Sequence, residues 1–193
     1  MRKSTIESQN RYLFEHQRQF RVAADIVTDA WMKFDEVAAV AVIGSVARPL
    51  WKEIPRFREF RRAGVEVWHE CGDLDLALWL ESLDHLETFR RVTARALRAA
   101  YEAGSNAGIV AEQLDVFLFE PGSDRYLGRL CHYGQCPKGK PSCLVPGCGA
   151  PAFNRRYLDF HLYADILEGA AMLYRRGTGR LGSALDLPPP GLE

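Results

Sequence analysis

Val37-Ala38-Ala39-Val40-Ala41-Val42-Ile43-Gly44-Ser45 and, further along, Asp73-Leu74-Asp75-Leu76-Ala77-Leu78 decide the reading of this chain. The first is a short apolar run rich in β-branched residues and closed by Gly-Ser, which predicts a buried strand feeding a tight turn. Backbone amides and a hydroxyl in such a turn can approach an anionic group. The second alternates carboxylate and leucine. On a strand, residues two apart share a face, so Asp73 and Asp75 point one way while Leu74, Leu76 and Leu78 point into a core. Asp is disfavoured in strands, and two on one face repel each other unless a positive charge lies between them. A divalent cation with oxygen ligands answers both points, and Mg²⁺ suits carboxylates combined with substrate phosphates.

A third carboxylate follows at Asp115 in Gln113-Leu114-Asp115-Val116-Phe117-Leu118-Phe119, a further strand-like run. Gly-Ser after a first strand, Asp-x-Asp on a second and a later carboxylate on a third resemble the nucleotidyltransferases of the DNA polymerase β type. Gly44-Ser45-Val46-Ala47-Arg48 is also similar to the start of the minimal members, which include antitoxin partners of small helical toxins and relatives of antibiotic-modifying enzymes. The resemblance covers the middle of the chain and implies an α/β (α+β) fold with a small mixed sheet flanked by helices. It further implies that Asp73, Asp75 and Asp115 hold catalytic Mg²⁺ and that Asp115 takes a proton from the acceptor. Gly44 and Ser45 would bind the phosphates of ATP or another nucleoside triphosphate, with Arg48 either reaching a phosphate or lying solvated. The implied reaction moves a nucleoside monophosphate, AMP by default, to an acceptor and releases pyrophosphate. A small molecule, a protein hydroxyl and an RNA end are all open as acceptor. In the minimal members Asp-x-Asp follows Gly-Ser closely, whereas here Leu50 to Cys71 intervenes as an insertion, with Trp51, Ile54, Phe57 and Phe60 at helical steps among basic residues.

The 193 residues are 47% hydrophobic and 26% charged, which suits one ordinary soluble domain with a core. Formal net charge is zero, so no global basic field argues for non-specific nucleic-acid binding. The polar amino terminus lacks the apolar region of a signal peptide, and no apolar stretch is long enough for a bilayer, so the expected setting is cytoplasmic, without a membrane partner. Disulfides are not expected there.

In chain order, Ile6, Leu13, Phe20, Ile26, Val27, Trp31 and Phe34 predict one long helix or two, packed across the sheet. Leu83 to Tyr101 predicts another, with Ser82 or Asp84 as cap and Gly104 as stop. Residues 1–125 would thus form the core, with the insertion at about 50–71. Residues 126–176 would comprise a cysteine-rich loop and a closing helix from Phe153 to Arg176, and 177–193 a flexible tail. In the loop Cys131, Cys136, Cys143 and Cys148 are spaced C-x4-C-x6-C-x4-C among Gly and Pro, a set that closes on structural Zn²⁺. His132 and His161 are reserve ligands. Cys71, outside the cluster, is expected to be a buried small residue.

Gly177-Thr178-Gly179-Arg180-Leu181-Gly182 spells a dinucleotide fingerprint, but it follows an expected helix instead of a strand, precedes a proline-rich terminus and leaves no room for the rest of a dinucleotide unit, so it is set aside. Two rival functions carry weight beside catalysis. One is a non-catalytic, antitoxin-like subunit that docks on a partner protein, for which an exposed apolar helix face would speak. The other is a zinc-stabilised nucleic-acid-binding module using Lys138, Lys140 and the arginines of 56–62.

Overall fold

The computed structural model describes residues 3–50, 71–105, 108–130, 154–155 and 166–188. Among these, two long helices and seven strands form an α+β unit. Helix α1 (Lys3–Trp31) leads into β1 (Val37–Val42). After the insertion come β2 (Leu74–Leu80), α2 (Leu86–Glu102), β3 (Leu114–Phe119) and β4 (Tyr126–Leu130). Then follow β5 (Asn154–Arg155), β6 (Ala171–Arg175) and β7 (Gly179–Arg180). One mixed sheet runs in the order β5-β4-β3-β2-β1-β6-β7. Among the described strands only the β2–β3 pair is parallel, and a parallel pair needs a crossover, which α2 supplies.

The apolar alternation divides the sheet into two faces. Val40 and Val42, Leu74 to Leu80 at every second position, and Val116 and Leu118 turn toward α1 and α2. There they meet Leu13, Phe20, Ala24, Val27 and Trp31 of α1, and Phe89 and Leu97 of α2. The indole of Trp31 donates to Thr93 Oγ1 at 2.9 Å, so a buried polar group locks the two helices together without being left unpaired. The opposite face carries Ala39, Ala41, Ala77, Trp79, Phe117 and Phe119, packed with Leu167, Ala170 and Met172. Asp75 shares this second face with Ala77 and Trp79, and Asp115 shares it with Phe117 and Phe119.

Two expectations about the carboxyl-terminal part are corrected. The closing helix expected from Phe153 to Arg176 is contradicted at both ends: Asn154–Arg155 is a strand paired with β4, and Ala171–Arg175 is a strand hydrogen-bonded along β1 from Ala39↔Arg175 to Val42↔Ala171. Gly169 takes φ +74°, a left-handed conformation that breaks helical continuity ahead of this strand, and β1 would otherwise leave the backbone groups of an inner strand unpaired. Nor is Gly177 the start of a loose tail. Gly177 and Gly179 take φ of +85° and +87° in the β6–β7 hairpin, which also accounts for the glycine spacing that imitates a dinucleotide fingerprint. Beyond it, Ser183 Oγ donates to Asp25 of α1, Ala184 N donates to Asp25 Oδ1 at 2.9 Å, and Arg180 pairs with the same carboxylate. The expected caps of α2 also differ. His85 occupies the cap position without a side-chain bond, while Gly104 ends the helix as expected, its N–H donating to Tyr101 O. The insertion, Cys131, Cys136, Cys143 and Cys148 with their proposed Zn²⁺, and residues 156–165 of the expected closing helix lie outside the described residues.

Candidate metal and phosphate site

Strand pairing brings the three aspartates together. In the parallel β2–β3 ladder Asp75 is the direct partner of Asp115, so their side chains leave the same face on neighbouring strands. Asp73 stands one residue before β2, and its carboxylate joins them: one oxygen from each of Asp73, Asp75 and Asp115 lies within 4.8 Å of the others. Because β1 runs antiparallel to β2, the end of β1 lies beside the beginning of β2. Ile43 N donates to Asp75 O at 3.1 Å, and the Gly44-Ser45 turn begins at the next residue. The sequence-predicted Gly-Ser turn and carboxylates therefore converge despite the insertion between them. Leu50 and Cys71, the described residues on either side of it, are both core residues.

Gly44 is required here for two reasons. Its φ is +67°, and a Cβ built on it would overlap Asp75 Oδ2 and lie 3.2 Å from Cγ. The turn is thus pressed against the carboxylate, and backbone alone fits between them. Beneath it, α1 supplies the support. Gln17 Nε2 donates to Ser45 O at 3.2 Å and to Arg48 O at 2.8 Å, and Arg21 Nε donates to Val46 O at 3.1 Å. Arg21 also donates to Leu187 O and Pro188 O, so its buried guanidinium is satisfied on both sides. Cys71 is buried as expected. Its thiol is pushed up by burial, an effect opposed by hydrogen bonds with Ser45 and Gln17 and by the charge of Arg21.

The electrostatics of the triad are those of partly buried like charges. The Asp75 carboxyl is raised to about 6, first by burial, then by Asp73, with Arg129 acting in the opposite direction. Arg129 of β4 forms an ion pair with Asp115. It stands opposite Phe117, two residues on from Asp115, and so lies on the carboxylate face. Arg48 does not join the triad: its Nη2 donates to Glu168 O at 3.0 Å and fastens the turn that precedes β6.

Three hard oxygen donors at this spacing, beside a turn too tight for a side chain, fit a divalent cation such as Mg²⁺ that keeps part of its water shell. Gln17, Arg21 and Arg129 were not named from sequence. For the first two a signal existed: the buried stripe of α1 runs Ile6, Asn10, Leu13, Gln17, Phe20 and Arg21, Ala24, Val27, and polar residues stand at positions its period reserves for the core. Nothing in the sequence marks Arg129. No family model matches the chain, and neither a curated protein nor a solved structure is significantly similar to it.

Proposed function

We propose that this chain is a metal-dependent nucleotidyltransferase on a polymerase-β-like core, moving a nucleoside monophosphate from a triphosphate, ATP by default, to an acceptor hydroxyl. The observation that carries the reading is the convergence of Asp73, Asp75 and Asp115 beside the Gly44-Ser45 turn. Asp73, Asp75 and Asp115 would hold Mg²⁺, which when bound would neutralise charge on the transferring phosphoryl group. The amides and hydroxyl of Gly44-Ser45 orient the terminal phosphates. Asp115 receives the proton of the acceptor hydroxyl as its oxygen bonds to the α-phosphorus and the α–β phosphoanhydride bond breaks, releasing pyrophosphate. Fixed placement of the groups, held by Gln17 and Arg21 from below, supplies the in-line geometry on which such reactions depend.

The docking-subunit alternative is less well supported. Tyr12 and Phe14 are exposed on α1 but stand two residues apart, on different sides of the helix, and make no apolar face.

Thermal stability measured against nucleoside triphosphates, each with and without Mg²⁺, tests the proposal. A ligand at a hundred times its dissociation constant adds about 2.7 kcal/mol to the folded state. The expected result is a shift that needs both metal and triphosphate and is lost in Asp75→Asn, together with loss of transfer. An undiminished shift or retained turnover in that variant overturns the assignment.

A further inference from the structure

The carboxylate cluster contains a cation of its own. Arg129 Nη2 meets Asp115 Oδ1, and the charge of Arg129 is also felt at Asp75. The two paired side chains are 25% and 17% exposed, so water screens the pair less than it would on an open surface. A divalent ion drawn among Asp73, Asp75 and Asp115 therefore approaches a guanidinium that already occupies an oxygen of one of its ligands. Like charges at such separation repel, so the cation and the guanidinium compete for the negative charge of the same carboxylate.

We propose that Arg129 is an internal counter-ion of the triad, displaced from Asp115 by the divalent cation and then turned onto the polyphosphate that accompanies it. The inference rests on the reading of the three aspartates as a cation site. Arginine suits both positions, because its planar fork matches carboxylate and phosphate alike and keeps its charge at any working pH. Its long side chain springs from β4, the strand beside Asp115, so the exchange needs rotation of one side chain and no movement of the sheet. Metal alone strands the displaced guanidinium, whereas metal with polyphosphate gives it a new partner. Arg129 thus couples the two ligands, making the site bind them together in preference to metal alone.

Calorimetric titration with Mn²⁺, alone and then with a non-hydrolysable ATP analogue, distinguishes the outcomes across wild type, Arg129→Gln and Arg129→Lys. Arg129→Gln is expected to bind Mn²⁺ alone roughly tenfold more tightly than wild type and the Mn²⁺–analogue pair several-fold more weakly, which is a reversal of the coupling. Arg129→Lys keeps the charge and is expected to match wild type for Mn²⁺ alone while losing affinity for the pair, since an ammonium lacks the fork. This second variant remains decisive if the glutamine variant fails to fold. Equal Mn²⁺ affinity in wild type and Arg129→Gln, or unchanged affinity of the lysine variant for the pair, overturns the exchange and leaves the cation site standing. Absence of Mn²⁺ binding in every variant overturns both. Tighter Mn²⁺ binding by Arg129→Gln in a protein that transfers no nucleotide upholds the exchange and removes the transferase reading.

Discussion

Asp75 illustrates how a single side chain can be costly to the fold and useful to the site. Burial and Asp73 raise its carboxyl from the ordinary 3.8 to about 6, so the folded state holds a proton on it that the unfolded chain has already released in that interval. Stability associated with this group is fully present below the unfolded value and is lost as pH rises through about 6. Asp75→Asn, which cannot ionise, is therefore expected to exceed the metal-free wild type in stability at pH 7.5 by on the order of 1–3 kcal/mol. The difference should shrink toward zero at pH 4. Urea unfolding at the two pH values in the presence of a chelator checks it; a difference independent of pH would show that the carboxylate is not raised. The carboxylates were legible in the sequence because a period of two is visible locally. Arg129 was not, because its place opposite Phe117 depends on the β3–β4 register, and that register is set by the whole sheet.

At the scale of elements, α1 acts as both core and scaffold for the turn. Its apolar spacing was enough to predict a helix over a buried sheet face, and the observed helix follows closely. Gln17 and Arg21 within that stripe reach the turn and hold it. Gln17→Leu is expected to leave the carbonyls of Ser45 and Arg48 short of their donor and to cost about 1–3 kcal/mol. By loosening the turn it should also weaken triphosphate binding more than binding of Mn²⁺ alone, a split that titration with each ligand reveals. Equal effects on both would give Gln17 a role in the fold alone. The opposite error occurred near the carboxyl end, where apolar residues at helical spacing suggested a helix through Arg176. Gly169 interrupts that pattern, and the open side of β1 offers Ala171–Arg175 backbone partners that no local periodicity can reveal.

Across the whole molecule, the residues after β7 act as a clasp. Arg21 connects Val46, just after the Gly44-Ser45 turn, with Leu187 and Pro188, and Asp25 gathers Arg180, Ser183 and Ala184. Ending the chain at Gly182 is expected to leave the buried Arg21 and the half-buried Asp25 partly unpaired and to lower stability by about 2–4 kcal/mol. For a chain of this size each kcal/mol corresponds to roughly 2–4 °C in melting temperature, so differential scanning calorimetry reads the loss directly. An unchanged melting temperature would show that the clasp does not bear on the folded state. Glycine and proline had suggested a loose end for this segment, because composition records what a stretch contains and not what waits for it on α1.

The pairing of β1 with β6 has a further consequence, for the order in which the protein can be made. Asp35, just ahead of β1, accepts a hydrogen bond from Arg176 across 141 residues of sequence. A ribosome adds about 5–20 residues each second, so for several seconds or more the nascent chain carries an apolar strand with one edge unsatisfied. During that interval β1 is open to pairing with a neighbouring chain. Late closure by β6 makes yield during synthesis, more than the equilibrium stability of the finished sheet, the quantity most exposed to a slow or crowded translation.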